Sequence, residues 1–250
     1  MFDELYVRGL RISGAIPPQE YVAHLPVVRY VMEKGSFKLT KPVTILVGEN
    51  GVGKSTLLEA LAVALGFNPE GGTVNYSFAT ADSHSPLHRY LTVSRGVKRN
   101  RDGYFLRAES FYNAASYLDE LEHTPGCGGV LSSYGGKSLH HQSHGESFMS
   151  LVAIRFGGQG LYLLDEPEAA LSPMRQMELL CHMNELVKQN SQFIISTHSP
   201  ILMTYPDADL WELSRDGMRQ VSYRETEHYQ LTRKFLENPE RMLGYLFGED

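Results

Sequence analysis

Short apolar runs alternate with amphipathic stretches along the chain, and the two periods separate strands from helices. "LYVRGLRI" (5–12) reads as a strand, and "IPPQEYVAHLP" as a Pro-broken loop. "VVRYVM" and "SFKLT" read as a strand pair joined through Lys34 and Gly35. "VTILV" (43–47) is a continuous, largely apolar and β-branched run, the pattern of a strand buried on both faces. A helix follows over "KSTLLEALAVALG", closed by Gly66. "HRYLTVSRG" and "GYFLRAE" read as strands flanking the basic turn "VKRNRD". "SFYNAASYLDELE" predicts a helix, and "TPGCGGVLSSYGGKS" a Gly/Ser loop.

Beyond this loop the pattern predicts a helix over about 144–156, a strand "LYLL" and a helix opened by Ser172 and Pro173. The buried strand "QFIIS" follows, then a hairpin of "DLWELS" and "RQVSYRE", then two short helices. Strands alternating with helices predict an α/β fold with a mostly parallel sheet. The extra strands near the N-terminus predict an antiparallel β addition.

Composition narrows the class without naming a function. In 250 residues, 42% are hydrophobic and 21% charged, ordinary values for a globular domain. No apolar run approaches the ~20 residues that span a bilayer. The mixed, acidic start "MFDELYVRGL" does not read as a signal peptide. Two cysteines, Cys127 and Cys181, imply no disulfide framework, so a cytoplasmic setting is expected. A net charge of −6 argues against coating nucleic acid by bulk charge.

The chemistry concentrates in three places, each just after a buried strand. "GENGVGKST" (48–56) fits G-x-x-x-x-G-K-[ST] between a strand and a helix. Gly48, Gly51 and Gly53 let the backbone wrap an anion, and the N–H groups of Asn50, Gly51, Val52, Gly53, Lys54, Ser55 and Thr56 face phosphates. Lys54 brings positive charge to the β- and γ-phosphates, and the Ser55 hydroxyl can ligate Mg²⁺. In "LYLLDEP", Asp165 is placed to hold Mg²⁺, and Glu166 to polarise the attacking water as a general base. In "FIISTHSP", His198 is placed to hydrogen-bond the γ-phosphate and that water.

"HHQSHGESFMS" (140–150) admits several readings. Ser143 and Glu146 form S-x-x-E, a capping box for a helix burying Phe148, Leu151, Val152 and Phe156. A metal site at His140, His141 and His144 lacks further ligands, and S-x-G-x-S is not a nucleophile elbow. A cap and an anion contact are compatible, because a helix N-terminus attracts phosphate.

The order of the P-loop, "SHGES", "LYLLDEP" and "STHSP" resembles that of ABC-type ATPases, with "SHGES" similar to the signature usually written LSGGQ. "FLRAESFYN", "LYLLDEPEAALSPMRQ", "FIISTHSPILM" and "TEHYQLTRKFLENPERML" further resemble small, stand-alone bacterial ATPases of that branch, often labelled AAA ATPases. The resemblance covers nearly the whole chain. It implies one P-loop NTPase domain over 1–250 with a small helical signature lobe. That domain divides into an N-terminal β region with the P-loop (1–66), a signature lobe (67–159), the Walker B and His core (160–222) and C-terminal helices (223–250). It implies ATP and Mg²⁺ as ligands, and a homodimer in which Ser143, Gly145 and Glu146 of one copy meet ATP bound by the other.

The chain departs from the family pattern at several points. His144 and Glu146 replace a Gly and the Gln of the signature, and Ser172 stands where the D-loop Asp is usual. Glu109 takes the place of the Q-loop glutamine as a candidate Mg²⁺ contact; Tyr30 is a candidate adenine contact, with packing against the sheet the preferred reading of that tyrosine. The resemblance leaves three roles open: a soluble ATPase switch, with or without a protein partner; the nucleotide-binding subunit of a membrane transporter; or a nucleic-acid-associated ATPase. The third would use Arg95, Lys98, Arg99 and Arg101, expected on a hairpin tip.

Overall fold

The computed structural model describes residues 5–73, 85–108 and 144–248. Its elements are β1 (Val7–Ile12), α1 (Pro26–Lys34), β2 (Phe37–Lys38), β3 (Val43–Gly48), α2 (Lys54–Leu65), β4 (Leu91–Arg95) and β5 (Asp102–Arg107). After the undescribed stretch come α3 (His144–Arg155), β6 (Gly160–Asp165), α4 (Pro173–Lys188), β7 (Gln192–Ser196), β8 (Asp209–Ser214), β9 (Gly217–Gln220), α5 (Glu227–Glu237) and α6 (Pro239–Phe247). The expected helix "SFYNAASYLDELE" and the Gly/Ser loop lie outside the described residues.

Six strands form the main sheet in the order β5-β6-β7-β3-β8-β9. Every pairing is parallel except β8 with β9. A separate three-stranded antiparallel sheet, β2-β1-β4, is the N-terminal addition. Gln192, at the start of β7, ties the two sheets together. Its Oε1 accepts from the N–H groups of Tyr6 and Val7 at 2.9 Å, and its Nε2 donates to the Val7 carbonyl at 2.8 Å.

The continuous apolar runs have their reason in two cores, one on each face of the main sheet. Ile45, Tyr162, Leu164, Phe193 and Ile195 turn to the face covered by α3 and α4. Leu46, Leu161, Leu163 and Ile194 turn to the face covered by α1 and α2. The predicted apolar side of α3 is in place: Phe148, Leu151, Val152 and Phe156 are all buried. Each contributes about 1.5–3 kcal/mol of transfer free energy. Ser172 caps α4 by accepting from the Arg175 N–H, with Pro173 in the first helical position.

Three expectations change. "VVRYVM" is helical, not a strand: Val27, Val28 and Val31 share one buried helical face, Pro26 opens the helix and Gly35 closes it at φ 75°. That spacing overrides the β preference of valine. The strands around "VKRNRD" do not pair, because β4 joins β1 in the small sheet and β5 joins β6 in the main one. The basic turn is a bridge between sheets rather than a hairpin tip. The second strand of the late hairpin is "GMRQ", earlier than expected, because Ser222 and Glu225 form a capping box that turns the chain into a 3-10 helix.

The two last helices attach lightly. Neither has a buried residue, and Leu231, Leu236, Tyr245, Leu246 and Phe247 are exposed. Helix α5 is held at its first turn, where Thr226 accepts from the Tyr229 N–H and Glu212 Oε1 accepts from the Glu227 N–H at 2.9 Å. No helix among the described residues is long and apolar enough to cross a membrane.

Candidate functional site

Strands β3, β6 and β7 are adjacent and parallel, with Asp165 opposite Ser196 and Leu46 opposite Ser196. Their carboxyl ends therefore deliver the P-loop, the carboxylate pair and the His loop to one edge, where open α/β sheets bind ligands. Backbone bonds fix the three: Thr197 N–H donates to the Leu46 carbonyl at 3.1 Å, and Glu166 N–H to the Ser196 carbonyl at 2.9 Å.

The loop after β3 requires glycine. Gly48 has φ 139°, and a Cβ there would lie 2.1 Å from the Leu213 carbonyl oxygen of β8. Gly53 is left-handed at φ 97° and serves as the N-cap of α2. A pocket of about 300 Å³ is lined by Asn50, Gly51, Gly53, Lys54, Ser55 and Thr56, faced by Glu166 and Tyr21. The Val52 side chain is buried and lines the neighbouring clefts, leaving its backbone to the cradle.

Lys54 is almost wholly buried, and its Nζ donates to the carbonyls of Gly48 at 2.7 Å and Glu49 at 2.9 Å. Burial lowers its pKa, and the carboxylates Glu166, Asp165 and Glu168 act against that shift. Asp165 is 6% exposed, and burial pushes its pKa up to about 6 in spite of Arg107 and the Ser55 hydroxyl, which both favour the charged form. Its Oδ1 is buried with no hydrogen-bond partner among the described residues.

Glu166 sits in the left-handed region at φ 49°, a strained setting for a non-glycine residue. Its Oε1 lies 3.4 Å from His198 Nε2. Burial lowers the His198 pKa, with Lys54 adding to the shift, so the imidazole is neutral at ordinary pH.

Four contributors went unread in the sequence. Arg107, opposite Asp165 in the β5–β6 register, places Nε 3.5 Å from Asp165 Oδ2 and Nη1 2.6 Å from Glu59 Oε2. Its only sequence signal is a cation closing a strand that turns out to border "LYLLD". Glu168, in plain view in "DEPE", accepts from Thr197 Oγ1 at 2.7 Å and from the His198 N–H at 2.5 Å, stitching the carboxylate turn to the His loop. His228, on α5, has Nε2 3.0 Å from His198 Nδ1. Tyr21 is exposed and lines the P-loop pocket, whereas Tyr30 is engaged edge-on with Trp211 at 6.2 Å.

Of the remaining candidates, Glu109, Ser143, His140 and His141 lie outside the described residues, as does the His144 side chain. Gly145 and Glu146 occupy the first turn of α3, with Glu146 4.0 Å from Arg175. Neither is among the residues that line the P-loop pocket of its own chain. Arg95, Lys98, Arg99 and Arg101 are exposed. The turn they occupy precedes β5, and the Arg101 N–H donates to the carbonyl of Gln159, just before β6. The basic turn is thus at the end of the sheet opposite the nucleotide pocket.

The sequence is similar to those of known ATP-binding proteins. A family model described as an AAA domain matches residues 28–119, and one described as an AAA ATPase domain matches residues 147–203. The chain is 28% identical over 180 residues to an uncharacterized ABC transporter ATP-binding protein of Haemophilus influenzae, covering 63% of this chain and 64% of that one. It is 28% identical over 199 residues to the ribose import ATP-binding protein RbsA of Roseobacter denitrificans, covering 70% of this chain and 36% of RbsA. It is 29% identical over 188 residues to the cobalt import ATP-binding protein CbiO of Salmonella typhimurium, covering 70% and 68%. Among solved structures, cbiO1 of Clostridium perfringens, part of the ABC transporter complex cbiONQ, aligns at 16% identity and a TM-score of 0.47, covering 98% of this chain and 99% of that one.

Proposed function

Since this chain is an ABC-type ATPase of the AAA group, we propose that it binds ATP on its P-loop and hydrolyses it to ADP and phosphate at a centre completed by a second copy. The observation that carries this reading is the meeting of Lys54, Ser55, Asp165, Glu166 and His198 at the carboxyl edge of three adjacent parallel strands.

Lys54 rests on the carbonyls of its own loop, from which an incoming phosphate would draw it by the stronger charge-assisted bond. The unpartnered Oδ1 of buried Asp165 and the Ser55 hydroxyl beside that carboxyl are an oxygen-donor set that suits Mg²⁺. Glu109 is proposed as a further contact. Bound Mg²⁺ would supply charge neutralisation for the phosphate oxygens. Glu166 orients the attacking water and takes its proton as oxygen bonds to the γ-phosphorus and the bond to ADP breaks. His198 Nε2, facing the same space, donates to the transferring phosphoryl group.

The second copy would bring Ser143, Gly145 and Glu146, the start of α3. Gly145 and Glu146 lie in the first turn of α3, and the attraction of a helix N-terminus for phosphate supports such a contact. The chain would act as one ATPase unit over 1–250 in the cytoplasm, an ATP-driven switch with a protein partner. The transporter relatives favour a second reading, in which this unit docks on a permease, and co-fractionation with membranes separates the two.

Glu166→Gln tests the centre. It is expected to keep ATP binding, lower hydrolysis by about 10²–10⁴-fold and sediment as a dimer in ATP. Hydrolysis at the normal rate would remove the base assignment, and monomers throughout would remove the shared site.

A further inference from the structure

His228 lies in α5, far in sequence from every nucleotide motif, yet its Nε2 is 3.0 Å from His198 Nδ1. At that distance one ring N–H donates to the nitrogen of the other ring, and that proton can sit on either side. His198 Nε2 faces Glu166 Oε1 at 3.4 Å, and His228 Nδ1 is buried with no hydrogen-bond partner among the described residues.

These two facts select one arrangement. If His198 carried its proton on Nδ1, its bare Nε2 lone pair would face the Glu166 carboxylate. His228 would then be forced to keep its proton on the buried Nδ1, which has no acceptor among the described residues. If instead His228 Nε2–H donates to His198 Nδ1, His198 turns an N–H toward Glu166 Oε1, and the buried His228 Nδ1 is left as a bare acceptor rather than a stranded donor. We propose that His228 is a positioning residue that holds His198 with its proton on Nε2 and its ring turned so that this N–H meets the transferring phosphoryl group.

The bare alternative would aim a lone pair at an anionic oxygen, so the tautomer decides whether His198 attracts or repels that charge. The seat of His228 is polar and local. Glu212 Oε1 accepts from the Glu227 N–H, and its Oε2 accepts from Arg219 Nη2 at 2.5 Å, so β8 and β9 hold the first turn of α5 in place. The α5 helix thereby delivers one hydrogen-bond donor to the reaction centre. This inference rests on the proposed contact between His198 and the phosphoryl group, but its key readout does not require hydrolysis.

The test is ¹⁵N NMR of the full chain with labelled histidine, the His198 signals being assigned by their loss in His198→Gln. The expected wild-type spectrum shows His198 protonated at Nε2 and bare at Nδ1. In His228→Ala the Nδ1 signal should shift as its donor is lost. Its kcat should fall roughly 5–10-fold with KM for ATP unchanged, the worth of one hydrogen bond of ~1 kcal/mol. His228→Gln, which presents an amide N–H at similar reach, should restore kcat to within about twofold. A wild-type His198 protonated at Nδ1 would overturn the proposal. So would equal impairment of the Ala and Gln variants, or unchanged kcat in His228→Ala. If His198→Gln itself hydrolyses normally, the phosphoryl contact fails while the tautomer result still stands or falls on the spectrum.

Discussion

Asp165→Asn should make this protein more stable while silencing it. The carboxyl is 6% exposed and its pKa is pushed from 3.8 up to about 6, first by burial. The folded chain therefore holds a proton on Asp165 more tightly than the unfolded chain does. Stability conferred by the protonated form is lost as pH rises from about 4 through 6, and the loss is complete above about 7. The shift corresponds to about 3 kcal/mol at about pH 8, and to about 1.6 kcal/mol at about pH 5, where part of the cost has already appeared. An amide has nearly the same shape, can still accept from Ser55, and carries no charge to desolvate. Arg107 keeps its contact with Glu59. Urea unfolding followed by far-UV circular dichroism, without nucleotide or metal, should show Asp165→Asn stabilised by up to about 3 kcal/mol at about pH 8, at unchanged m-value, and by about half as much at about pH 5. A variant no more stable than wild type at about pH 8, or a gain that does not depend on pH, would refute the reasoning.

The other expectations concern the pocket walls. Gly48→Ala puts a methyl group 2.1 Å from the Leu213 carbonyl at φ 139°, so it should destabilise the fold by more than about 2 kcal/mol and weaken nucleotide binding. A thermal melt within 1–2 °C of wild type would contradict it, since such a loss implies a shift of several degrees. Tyr21→Ala, removing an exposed ring at the pocket mouth, should raise KM for ATP by roughly 5–50-fold with kcat nearly unchanged, which steady-state kinetics would show. An unchanged KM would exclude adenine stacking there.

The central sheet was legible because burial on both faces leaves a plain mark: "VTILV", "LYLL" and "QFIIS" are mostly apolar and carry no charge, as strands between two cores must be. The P-loop and carboxylate turn were legible for the same reason, since their chemistry begins where those runs stop. Helix α1 was misread because its three buried valines satisfy a helical face while carrying β-branched side chains. The bridge between β4 and β5 could not be seen, because which strand pairs with which depends on contacts distant in sequence. Arg107, Glu59 and His228 were invisible on the same ground. Their roles come from a register partner, a helix face and a returning C-terminal turn, and none leaves a local pattern.

The unequal attachment of the elements has a consequence for how this molecule fails. The strands that carry Asp165 and His198 lie between two cores, whereas α5, which brings His228 to them, buries none of its side chains. Fraying of that helix costs far less free energy than opening the sheet. Loss of the His198–His228 contact is therefore a separate event from denaturation, and turnover is expected to fall partway, by roughly the 5–10-fold assigned to that contact, while the fold still stands.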